Sequence, residues 1–167
     1  MKMLTSLLAI KRFREGQAET AMRQRRESLA QAEQQRIAAE ELLAQLLAEG
    51  VIAEQRLYAD LCSRLVLQAE IEDVRLQVAA LRQREQHQQD ARDAAEREQE
   101  AAQQHFDQAR QRHREAARQT SKFIELSSSF AATEAQEAER REDLEMEEAA
   151  SAGRERENSN STDAENP

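Results

Sequence analysis

Ser63-Arg64-Leu65-Val66-Leu67-Gln68 is an apolar, partly β-branched patch between two stretches whose apolar residues recur with a heptad period, and the two periods fall out of phase across it. On its N-terminal side the template collects Ala18, Met22, Leu29, Ala32, Ala39, Leu43, Leu46, Ala53 and Leu57, with Arg25 and Arg36 as polar exceptions. On its C-terminal side it collects Ala69, Ile71, Val74, Val78, Leu81, Ala95, Ala102, Phe106, Ala109, Ala116, Phe123 and Phe130, around a polar middle from Glu85 to Arg92. A chain reversal at the patch brings residues together when their numbers sum to about 134. Leu8 then faces Leu126, Ile10 faces Ile124, and Leu29 approaches Phe106. A reversal at Gly50 would instead set Leu4 to Ile10 against the polar Asp90 to Glu96 and strand Phe106, Phe123 and Phe130.

Composition points the same way. The 167 residues include one Pro, three Gly, one Tyr and no Trp, so the punctuation and bulky side chains of a compact mixed fold are missing. Ala, Glu, Gln, Arg and Leu dominate, and these lose little rotamer freedom in a helix. A 39% hydrophobic fraction made largely of Ala cannot fill a thick core but can line a thin seam between two helices. The expected fold is all-α, a long two-helix antiparallel coiled-coil hairpin: first helix 1–63, turn 64–68, second helix 69–148 with an acidic overhang, and a disordered acidic tail 149–167. The tail assignment rests on the absence of apolar residues to bury from Arg154 to Thr162.

The net charge of −9 argues against a nucleic-acid surface, because phosphate binding needs an electropositive stripe. The charge is uneven: residues 1–36 hold eight Lys or Arg against four Glu, and residues 134–165 hold twelve acids against four Arg. The single Cys62 cannot close an internal disulfide and suits a reducing compartment. The apolar run Leu4 to Ile10 is short for a signal peptide, lacks a small-x-small cleavage site and continues into Lys11-Arg12-Phe13-Arg14. Export is therefore not expected, and no segment approaches the ~20 apolar residues of a membrane span.

Catalysis needs groups from several elements gathered away from water, which a two-helix seam does not supply, so no enzyme activity is expected. His87, His105 and His113 have no His or Cys one helical turn away, which argues against a metal site. Gly16, Gly50 and Gly153 are too far apart for a phosphate loop, so no cofactor is expected. Two places exceed the bland expectation. Leu65, Val66, Leu67 and Ile71 lie where a purely structural turn prefers Gly, Asn or Asp. A terminal cluster of Leu4, Leu7, Leu8, Ile10, Phe13, Phe123, Ile124, Leu126 and Phe130 is richer in large side chains than the middle.

Four segments resemble the YscO-type (SctO-type) stalk proteins of bacterial type III secretion, relatives of the flagellar export stalk. They are Leu7-Leu8-Ala9-Ile10-Lys11-Arg12-Phe13-Arg14-Glu15, Ala53-Glu54-Gln55-Arg56-Leu57-Tyr58-Ala59-Asp60-Leu61, Ile71-Glu72-Asp73-Val74-Arg75-Leu76-Gln77-Val78-Ala79-Ala80-Leu81-Arg82 and Glu139-Arg140-Arg141-Glu142-Asp143-Leu144-Glu145. The resemblance implies a central stalk, similar to the coiled coil of the ATP synthase gamma subunit, on the cytoplasmic face of the inner membrane. It implies as partners the hexameric secretion ATPase, the cytoplasmic domain of the export gate protein and secretion chaperones. Exposure arguments then assign Lys11, Arg12, Arg14, Arg23, Arg25 and Arg26 to the ATPase contact, and Leu65, Val66, Leu67 and Ile71 to the gate contact. The competing expectation is a cytoplasmic coiled-coil escort that binds chaperones or substrates without acting as a stalk.

Overall fold

A computed structural model describes Lys2–Thr162, with side chains from residue 3 to residue 155. It contains two helices, α1 (Lys2–Ser63) and α2 (Gln68–Thr162), and the described residues form no strand. The fold is the expected helical hairpin. Its contacts divide into two compact units: residues up to Glu15 with those from Glu115 onward, and Gly16–Arg114.

In the Gly16–Arg114 unit the helices run antiparallel. The Arg82 guanidinium donates to Glu54 at 2.6 Å, the Glu85 carboxylate lies against Gly50, and Gln88 Nε2 donates to the Ala39 carbonyl oxygen at 3.2 Å. As the α2 number rises the α1 number falls, and the first two pairs sum to within a few residues of 134. The least exposed side chains here are Leu29, Ala32, Leu43, Val74 and Ala109. Shielded positions on α1 follow one another as 29, 32, 36, 39, 43, 46, 50, 53 and 57, alternating steps of three and four. That 3.5-residue period is what keeps one narrow stripe of a helix facing its partner.

The same alternation on α2 passes straight through the stretch expected to be a polar gap: 74, 78, 81, 85, 88, 92, 95, 99, 102, 106 and 109. Glu85, Gln88, Arg92 and Gln99 thus occupy seam positions in place of apolar residues. Gly50 leaves room for the Glu85 carboxylate where it lies, since a Cβ there would require the end of that side chain to shift. Glu85 keeps its charge partnered by accepting from Arg82 at 3.1 Å. Arg92 is less well served: its guanidinium reaches Asp93 at 3.2 Å and Glu96 at 3.5 Å, while its Nε is buried without a partner.

In the terminal unit, Leu4, Leu8, Lys11 and Glu15 of α1 and Ala116, Thr120, Phe123, Ser127 and Ala131 of α2 are the shielded positions. Thr120 is buried, and its hydroxyl donates to the Ala116 carbonyl oxygen at 3.0 Å, so the seam bears no unmet polar group there. Two of the three expected facing pairs are corrected, whereas Leu29 and Phe106 are both shielded. Ile10, Ile124, Leu126 and Phe130 are all more than two-fifths exposed. Ser127 follows Phe123 by a step of four, and a second step of four, where the heptad calls for three and Phe130, brings Ala131 to the seam. Near the turn, Ala69 and Ile71 likewise point outward, and Val66 and Glu70 take their places.

Every described side chain from 132 to 155 is exposed. α2 nevertheless continues to Thr162, so residues 149–162, expected to be disordered, are helical; residues 163–167 lie outside the described part. Ala, Glu and Arg carry enough intrinsic helix preference to prolong a helix already nucleated upstream, even with nothing to bury.

Arg92→Leu should raise the free energy of unfolding by about 1–2 kcal/mol, since it removes a buried unpartnered donor and adds apolar contact in the seam. Chemical denaturation followed by circular dichroism reads this directly, and an unchanged or lower midpoint would mean that the ion pairs with Asp93 and Glu96 outweigh the orphaned Nε.

Candidate interaction surfaces

The turn between the helices is built by four residues, Arg64 to Leu67. Gln68, expected in the turn, already belongs to α2. Among the described residues no backbone takes a positive φ, so this reversal needs no glycine. Side chains supply the stability. Leu67 is the N-cap of α2: its carbonyl oxygen accepts from the amides of Glu70 at 3.0 Å and Ile71 at 3.3 Å. Glu70, three residues on, reaches back to accept from the Leu67 amide at 2.8 Å, which is the carboxylate half of a capping box. Arg64 straddles the turn, donating to Glu70 at 2.8 Å and to Asp60 in the last turn of α1 at 3.2 Å.

These contacts set the electrostatics. The Leu67 amide first, and then the Arg64 guanidinium, hold the Glu70 carboxyl below the usual carboxylate range. Glu70 and Asp60 together push Arg64 further up, so it stays charged at any ordinary pH. The apolar side chains are left outside this polar frame. Leu65 is fully exposed, Leu67 is 73% exposed and Ile71 41%, whereas Val66 is half-buried. Three of the four expected turn contacts are therefore presented outward, and Val66 closes the seam from below.

The basic residues behave unequally. Lys11 turns inward, with its Nζ 5.2 Å from the Phe123 ring centroid and donating to Gln119 at 2.7 Å, so it joins α1 to α2. Arg23 pairs with Glu19 at 2.6 Å on its own helix. Arg12, Arg14, Arg25 and Arg26 are exposed and form no ion pair among the described residues. Lys11, Arg12 and Arg14 belong to the terminal unit, and Arg23, Arg25 and Arg26 to the other.

Charge alone overlooks what surrounds Arg12 and Arg14. Met3 (74% exposed), Leu7, Ile10 and Phe13 (65%) follow at steps of four, three and three along the outer side of α1. A stripe with this spacing lies along one face of the helix, and Leu126 and Phe130 of α2 are exposed in the same unit. The signal was present in the sequence as a second periodic set beside the seam.

Concave features are shallow. A groove in the Gly16–Arg114 unit has an apolar floor of Ala53, Leu57, Ala80 and Leu81 and charged flanks of Arg56, Asp60 and Arg84. Among the described residues no three His, Cys, Asp or Glu side chains are placed to hold a metal ion, and no helix is long and apolar enough to cross a membrane.

The family model for type III secretion protein YscO matches residues 4–152. The chain belongs to the YscO family. A solved structure agrees: the crystal structure of type III secretion protein YscO from Vibrio parahaemolyticus is 26% identical and superposes with a TM-score of 0.81, over 88% of this chain and 92% of that one. No curated protein sequence matches. Membership in the YscO family makes this a protein of the type III secretion system, and the hairpin reads as the family's fold.

Two outcomes follow from the local chemistry. The Leu67 amide resonance should titrate with Glu70 at a midpoint below the ordinary Glu range. The cap contributes above the unfolded carboxylate value and is lost as pH falls through the depressed folded value. The nuclear magnetic resonance titration should vanish in Glu70→Gln, and a normal midpoint in the wild type would refute the cap. Lys11→Ala should cost about 0.5–1 kcal/mol of stability through the lost contact with Phe123, and a melting curve identical to wild type would show that contact to be idle.

Proposed function

We propose that this YscO-family chain is a central stalk component of a bacterial type III secretion apparatus. In this reading it binds the hexameric secretion ATPase, stimulates or coordinates its hydrolysis, and links it to the cytoplasmic domain of the export gate. The observation that carries the proposal is the family match over residues 4–152, on a fold with shallow grooves and with outward apolar side chains in both units. Such a chain acts by binding and performs no chemistry of its own; any ATP hydrolysis belongs to its partner. A surface that binds ring subunits unequally in their different nucleotide states shifts their populations, so its binding free energy emerges as altered turnover.

The terminal unit is the ATPase contact in this reading. Leu7, Ile10 and Phe13 supply the apolar contact and Arg12 and Arg14 the charged rim, with Lys11 serving inside the hairpin. Arg23, Arg25 and Arg26 add a further basic stretch for the same partner. The turn, through Leu65, Leu67 and Ile71 over Val66, is the gate contact. The protein works at the cytoplasmic face of the inner membrane and inserts no segment into it.

Purified ATPase should hydrolyse faster with the wild-type chain, and Phe13→Asp should lower that stimulation by about tenfold or more, as loss of a central interface anchor does. Arg12→Ala with Arg14→Ala should lower it less and flatten its salt dependence. No stimulation by the wild type would remove the stalk reading, and full stimulation by Phe13→Asp would remove the apolar surface from it. In cells, Leu65→Asp with Leu67→Asp should block secretion while circular dichroism still reports full helicity; normal secretion would refute a role for the turn.

A further inference from the structure

The turn carries a feature that exposed leucines alone do not require. A hairpin that merely reverses direction has no use for a guanidinium spanning both helix ends, yet Arg64 donates to Asp60 on one side and to Glu70 on the other. Glu70 in turn accepts from the amide of Leu67. The chain of contacts Asp60–Arg64–Glu70–Leu67 thus fixes the backbone on both flanks of Leu65, the residue with the greatest exposure among the described large apolar side chains. We infer that Arg64 is a positioning residue that braces Leu65 and Leu67 as a preformed apolar knob, and that the knob's partner is a protein cleft with an apolar floor and a basic rim.

The rim follows from charge. Near the turn the sequence carries Asp60, Glu70, Glu72 and Asp73 against Arg64 and Arg75. Arg64 is committed to Asp60 and Glu70, while Glu72 and Asp73 are exposed and form no ion pair among the described residues. Two free carboxylates near two exposed leucines ask for cations around an apolar depression: an acidic rim would set them against like charge, and a neutral one would offer them no countercharge. The brace matters because an ordered turn has less freedom left to lose on binding. A flexible one would have to be frozen by the partner.

This inference rests on the gate reading above and refines it, and one set of experiments separates the two. Full-length chain is titrated against the purified cytoplasmic domain of the export gate protein, with hydrogen exchange of the Leu67 amide followed in parallel. Wild type should bind, more weakly as salt rises, and Leu65→Asp should abolish binding. Arg64→Met should weaken binding about threefold to tenfold by releasing an ordered turn, speed exchange at Leu67 and leave helicity unchanged. Arg64→Lys, which keeps the charge but cannot fork to two carboxylates, should recover only part of the loss. Glu72→Lys with Asp73→Lys should weaken binding and remove its salt dependence.

If the wild type binds and Arg64→Met binds equally well, the brace is overturned while the gate reading stands. A wild-type affinity that Glu72→Lys with Asp73→Lys leaves untouched overturns the basic rim. If the wild type does not bind, or Leu65→Asp binds normally, the gate reading itself falls and takes the cleft with it. Unchanged Leu67 exchange in Arg64→Met would refute the brace whatever the partner does.

Discussion

Each helix turns inward a stripe only one or two residues wide, and the 3.5-residue period of that stripe is the constraint from which the structure follows. Because the period holds from Val74 to Ala109, it overrides side-chain character and seats Glu85, Gln88 and Arg92 in the seam beside Val74 and Leu81. An α-helix offers an antiparallel partner no other face at this spacing. Polar residues in those positions must therefore be accommodated where they fall. Gly50 makes room for Glu85, Arg82 neutralises it, and the Arg92 Nε is left unmatched.

A seam this thin has a consequence for binding. With Ala filling so many inward positions, large apolar side chains remain for outward faces, among them Leu7, Ile10 and Phe13 in one unit and Ile37, Leu42, Val51, Leu65 and Leu67 in the other. Surface ion pairs such as Arg23–Glu19 contribute little to stability and chiefly keep the remaining surface solvated. Stability and recognition thus draw on different residues of the same helices. Lys11 shows how finely the division runs, since its neighbours Arg12 and Arg14 face water while its own charge is spent on Phe123 and Gln119.

The turn joins the two roles. Its polar frame of Asp60, Arg64 and Glu70 does locally what a glycine would do in a plainer reversal, using the Leu67 backbone but neither leucine side chain. Arginine is suited to this because its planar fork reaches two carboxylates at once. Exposed leucines held by ionic contacts combine a rigid backbone with free apolar surface, as a recognition element requires.

Helix content, the single reversal near residue 67, the register summing to about 134 and the secretion-family resemblance were all legible in the sequence, since each depends on composition or on a period that local chemistry enforces. Not legible was which member of an adjacent pair meets the partner helix. Phe130 is expected on the seam by its spacing and Leu126 by its place opposite Leu8, yet the structure shields Ala131 and Ser127 instead, the alternation of steps giving way to two steps of four after Phe123. The inward role of Lys11 and the Arg64 brace were likewise decided in three dimensions. A period is a property of one strand of sequence, whereas phase and side-chain partnership exist only once two helices lie side by side.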